Sequence, residues 1–187
     1  MLPWRFALLS LLQGSPLQGQ SVPLRDYAIY NVVLDRLPEG ASRSNALITN
    51  RAVTRVPSFR RTARGMTPKD RLGSALIESV PSPGALPPHV FDSAALGSGV
   101  RLITDSTFRS FFRHRNPPSG WMALRERYPG IQGVVDLSNI TYHPNGEFAV
   151  VYVAVKCGPR CGWGGLYYLA QASGKWTIVR VEVEWVS

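Results

Sequence analysis

Two cysteines, three histidines and three methionines in 187 residues are few, and each scarcity closes off some chemistry. A structural zinc site takes four ligands at close spacing. Two thiols and the scattered His89, His114 and His143 do not supply them. No metal or cofactor is expected. Also missing are G-x-S-x-G, the P-loop, H-E-x-x-H and G-x-G-x-x-G, so the common nucleophile, phosphate and dinucleotide signatures do not occur. No apolar run approaches the ~20 residues that span a bilayer. There is no internal repeat and no low-complexity tract.

What is present fits one domain. Hydrophobic residues make up 44% of the chain, which is ordinary for a globular protein, while 17 glycines and 15 prolines indicate many turns. The net charge is +9, and the basic side chains are mostly arginine. Charge of this sign and size attracts polyanions in general: nucleic acid, acidic lipid or anionic cell-wall polymer. Its clearest cluster is Arg51, Arg55, Arg60, Arg61 and Arg64. Only Phe59 supplies a stacking ring there, and a solvated basic loop would look the same.

The N-terminus has the layout of a secretory signal peptide over residues 1–20. Arg5 supplies the positive charge, Phe6 to Leu12 the apolar core, and a Gly/Ser/Pro/Gln stretch follows. Residues 21–187 then form a single α+β domain, exported to the periplasm or beyond.

Within it, Tyr27, Tyr30, Val33, Leu34 and Leu37 recur at helical spacing between Pro23 and Pro38. Ala46 to Val56 reads as a strand. Thr67-Pro68-Lys69-Asp70 has a capping-box pattern and opens a helix to about Ser79. Val100 to Thr104 reads as a short strand, and Asp105 or Ser106 as the cap of a helical turn carrying Phe108, Phe111 and Phe112. Asn116-Pro117-Pro118 is expected to break that turn, with Ser119 capping the next helix.

The last third reads as four strands in succession. His143-Pro144-Asn145-Gly146 fits a type I turn with a glycine bulge, and Ser173-Gly174 a two-residue hairpin turn. The slip of apolar phase between Leu137 and Ile140 suggests a bulge in the first of these strands. Helices on one face of a bent antiparallel sheet ending in this four-stranded meander is the expected architecture, an order similar to that of nuclear-transport-factor-2-like cones.

Trp121, Tyr128-Pro129-Gly130, Leu137-Ser138, Ala149 to Val153, Cys157-Gly-x-x-Cys161-Gly-x-Gly164, Trp176 and Trp185-Val186-Ser187 together resemble a group of uncharacterised exported bacterial proteins. The resemblance covers residues 121 to 187. It implies a bacterial source and an exported compartment, and it carries no catalytic residue across.

Two constellations stand out. Cys157 and Cys161 form an even pair at hairpin spacing in an exported chain, which points to a disulfide. A redox dithiol would lead into a helix, and Gly162-Trp163-Gly164-Gly165 starts none. Counting outward from a two-residue turn at Ser173-Gly174 puts Trp163, Tyr167, Arg180, Glu182 and Glu184 on one face. That set is either the wet face of an antiparallel sheet or the wall of a ligand pocket. The expected function is a non-catalytic envelope or secreted binding module. A small hydrolase or lyase using Glu182 and Glu184, and a basic polyanion-binding protein, are the alternatives.

Overall fold

The computed structural model describes residues 20–37, 41–54 and 88–187. The expected signal peptide, the Thr67–Ser79 helix and Arg55, Arg60, Arg61 and Arg64 lie outside the described residues. Arg51 is described; it is exposed and bridged to Val90.

Helix α1 (Leu24–Leu34) begins after Pro23 as its residues dictate, and Tyr27, Tyr30, Val33 and Leu34 are buried. Its two tyrosines are core. Tyr30 donates to the Ser138 carbonyl at 2.8 Å, and the Tyr27 hydroxyl accepts from the Asp92 amide at 2.8 Å. Strands β1 (Ala46–Thr49) and β2 (Arg101–Ile103) are shorter than expected.

The two following helices start one and three residues earlier than the sequence suggests. Thr104 caps α2 (Asp105–Ser110), its hydroxyl accepting from the Thr107 amide at 3.0 Å. Asn116 caps α3 (Pro117–Arg127), its side-chain oxygen accepting from the Ser119 amide at 3.0 Å. Asn116-Pro117-Pro118 therefore opens a helix as well as ending a turn, because proline's missing amide costs nothing in the first turn.

The remaining strands are β3 (Gly133–Leu137), β4 (Thr141–Tyr142), β5 (Phe148–Gly158), β6 (Cys161–Ala172) and β7 (Lys175–Val186). The sheet order is β2-β1-β3-β5-β6-β7, with β4 also paired to β5. The break between β3 and β4 falls where the apolar phase slips. The class is α+β, as expected, with three helices and seven strands among the described residues.

The sheet is open and mixed, not wholly antiparallel. β1 runs parallel to both β2 and β3, while β3, β5, β6 and β7 are successively antiparallel. The parallel part follows from the connection: α2 and α3 carry the chain back from β2 so that β3 starts in the same direction.

The helices also divide between the two faces. Ile48, Val135, Val153 and Leu169 pack with α1, whereas their neighbours Leu47 and Val134 pack with Trp121 and Leu124 of α3. Alternate residues of a strand point to opposite faces, so α1 covers one side and α2–α3 part of the other.

The turns behave as their residues predict. The His143 carbonyl accepts from the Gly146 amide at 2.8 Å, and Gly146 has φ 75°. Ser173 and Gly174 both have positive φ (50° and 77°), the mark of a type I′ hairpin turn.

Candidate functional site

On the α2–α3 face the sheet leaves a cleft of about 660 Å³ between the two helices, the disulfide hairpin and the end of β7. Its apolar walls are Phe108, Phe112, Trp121 and Trp185. The two phenylalanines meet edge to face at 5.1 Å between ring centres, and Trp121 lies 5.7 Å from Phe112 and 6.0 Å from Phe108. Such tilted contacts suit the ring quadrupoles and hold the walls in place.

Trp185 reaches the cleft because of a glycine. A side chain on Gly164 would run into both the Trp185 indole and the Tyr152 hydroxyl. With none there, Trp185 lies across β6 and donates its Nε1–H to Tyr152 Oη at 2.8 Å. Burial raises the Tyr152 pKa, which this hydrogen bond partly offsets.

Three cations line the same cleft: Arg109, Arg113 and Lys156. Arg109 is tied to Asp105 one helical turn earlier at 2.8 Å. Lys156 sits 5.5 Å from the Phe108 ring centre, and its Nζ donates to Asp136 Oδ2 at 2.5 Å. Asp136 is buried and Lys156 only half-buried, so the ammonium compensates the carboxylate while keeping one side toward the cleft.

The hairpin at the rim is covalently closed. Cys157 and Cys161 are joined, with Cα atoms 5.0 Å apart. Cys157 is the extra residue of a bulge, and it is Gly158 that stands opposite Cys161. Arg125 of α3 donates to the Cys157 carbonyl at 2.7 Å, fastening the helix to the hairpin.

The five residues expected to share one polar face do not share it. The last hairpin starts in the counted register, from Ala172 opposite Lys175 to Leu169 opposite Ile178. The register then shifts twice, so Tyr168 faces Arg180, Leu166 faces Glu182 and Gly164 faces Trp185. Each bulge inserts one residue in β7, and each reverses which face the following residues take.

Trp163 and Tyr167 consequently lie on the α1 side, rings 6.0 Å apart. Tyr167 is buried and donates to the Arg36 carbonyl at 3.3 Å; burial pushes its pKa up to about 12. Arg180 and Glu182 lie on the opposite side with Tyr168. Glu182 accepts from the Tyr168 hydroxyl at 3.0 Å and pairs with Arg180, whose guanidinium stands 5.8 Å from the Tyr168 ring centre. Glu184 is the residue inserted at the second bulge, between Val183 opposite Gly165 and Trp185 opposite Gly164.

The cleft residues were individually visible in the sequence, but only as packing. Phe108 and Phe112 belong with Phe111 to the apolar patch of one helical turn, Trp121 to the helix after it, and small Gly162 and Gly164 precede a strand that carries Trp185. Among the described residues no three His, Cys, Asp or Glu side chains lie together to hold a metal. No helix of the described residues is long and apolar enough to cross a membrane. No family model matches the chain, and no curated protein or solved structure matches it either.

Proposed function

We propose that the chain is an exported, non-catalytic binding module whose cleft takes an amphipathic organic anion, with a flat apolar body and an acidic head. The observation that carries this reading is the pairing of four aromatic walls with three cations around one cleft. Ligand sites are commonly apolar concavities with a few charged groups that fix orientation. Rings supply the apolar contact, and Arg113 supplies the charge together with Arg109 and Lys156, which share theirs with Asp105 and Asp136. Glu182 is engaged by Tyr168 and Arg180 and does not line the cleft, which supports binding over acid–base chemistry.

Anilinonaphthalene sulfonate, an aromatic anion, is a suitable probe. Fluorescence titration of the folded protein should show one saturable site. The double substitution Arg109→Glu/Arg113→Glu should weaken it by about tenfold or more, and added salt should weaken it in the wild type. Both arginines are exposed, so the fold should survive. No saturable binding, or binding indifferent to both changes, would overturn the proposal.

A further inference from the structure

Strand β7 is twelve residues long and ends the sheet, with β6 on one side and no strand among the described residues on the other. Long exposed edges invite pairing, and proteins usually blunt them with charges and bulges. Here the two bulges bracket a regular run, Arg180 to Val183, paired without interruption to β6. Val179, Val181 and Val183 are 52%, 44% and 61% exposed.

The residues of this run and its neighbour read Val179-Arg180-Val181-Glu182-Val183, which is complementary to itself when reversed. The backbone agrees with that symmetry. The Glu182 carbonyl is aimed at β6, coming within 2.6 Å of where a Cβ on Gly165 would stand. By alternation, the amide and carbonyl of Val181 are aimed at the open edge.

We infer that β7 is a self-association edge, pairing antiparallel with β7 of a second copy about a two-fold axis through Val181. In this register Val181 stands opposite the partner's Val181 as a hydrogen-bonded pair. Arg180 stands opposite the partner's Glu182, in the closer, non-hydrogen-bonded kind of pair where side chains meet best. Val183 reaches the partner's Val179, the residue inserted at its first bulge, where the regular pairing ends. The interface is isologous, so each ion pair is made twice. A second copy is the occupant because the run carries its own complement: under this two-fold each Arg180 meets a Glu182 with no other sequence required. The sheet would become continuous through both molecules, leaving each cleft open on its own α2–α3 face.

Sedimentation of the folded, disulfide-intact chain tests the association, in about 150 mM salt so that the net charge of +9 is screened. Dimer is expected at about 100 μM chain. Arg180→Glu should raise the dissociation constant about tenfold or more by setting like charges opposite each other, and Arg180→Glu/Glu182→Arg should restore it. Within its own chain Glu182 also holds Tyr168 and pairs with Arg180. Both ion pairs, within and between chains, would be lost in Arg180→Glu, so a fold-neutral test fixes the register independently. Val181→Cys should give a covalent dimer on mild oxidation, since paired Cα atoms lie about 5.5 Å apart. Val183→Cys should not, because the two introduced thiols would be separated by four residues of strand, about 13 Å. A wild-type monomer at all concentrations, or equal cross-linking at 181 and 183, would overturn the inference.

Discussion

Trp185 and Tyr152 come from strands that are not neighbours, yet they are joined by a 2.8 Å hydrogen bond that crosses β6 over Gly164. That contact fixes the end of β7 and sets one wall of the cleft. It also accounts for the second bulge of β7, since Trp185 must turn to the Tyr152 side to make it.

Gly164→Ala should therefore destabilise the fold and disturb the cleft together. The added methyl meets Trp185 and Tyr152 with no free space, and overpacking of this kind costs about 1–3 kcal/mol. Urea unfolding should show the loss, and binding of the aromatic anion should weaken because the Trp185 wall moves. Unchanged stability would mean that Trp185 is not held where the structure puts it.

Buried tyrosines predict an alkaline limit to stability. Burial raises the pKa of Tyr30, Tyr142, Tyr152 and Tyr168, and pushes Tyr167 up to about 12. A phenol whose folded pKa exceeds its unfolded value near 10 is favoured neutral in the fold. Its contribution is complete below about pH 10 and disappears as the pH rises through the folded value. Stability should thus be flat on this account at neutral pH and fall between about pH 10 and 12. Tyrosinate absorbance should appear together with loss of far-ultraviolet circular dichroism. Ionisation of Tyr167 near pH 10 in the folded protein would refute its burial.

The sequence makes the meander legible because every hairpin carries its own turn chemistry: Asn145-Gly146, Pro159-Arg160 between cysteines, Ser173-Gly174. These signals are local. The pairing of β1 with β2 and β3 is not, since four- and three-residue strands joined through long connections carry no register signal. The two β7 bulges were hidden for a related reason. Trp176 to Val186 alternates cleanly in sequence, and only the approach of Trp185 to Tyr152 and of Glu182 to Tyr168 shows why the strand slips. One slip was enough to separate Trp163 and Tyr167 from Arg180 and Glu182. Asn116-Pro117-Pro118 misled differently, because proline both ends a helix and suits the first turn of the next.

Export is open to a direct check. The apolar core from Phe6 to Leu12 with its preceding Arg5 predicts cleavage, and N-terminal sequencing of protein from its native host should start between about residues 15 and 25. An intact Met1 in soluble cytoplasmic material would contradict it.

The disulfide yields the last prediction, and it separates a structural role from a chemical one. Cys157 and Cys161 enclose three residues, and the hairpin is held in addition by the Arg125 bond to the Cys157 carbonyl and by the pairing of Gly158 with Cys161. A loop so short confers only a modest entropic gain, on the order of 2 kcal/mol. Cys157→Ala/Cys161→Ala should still fold, with stability lowered by about 1–3 kcal/mol. Because Cys161 borders the cleft, its loss should also loosen that rim and reduce anion affinity modestly, while the aromatic walls keep the site. Mass spectrometry of non-reduced protein from an oxidising compartment should find no free thiol. A double mutant of normal stability that nonetheless loses all binding would show that the sulfur atoms act on the ligand and do more than close the hairpin.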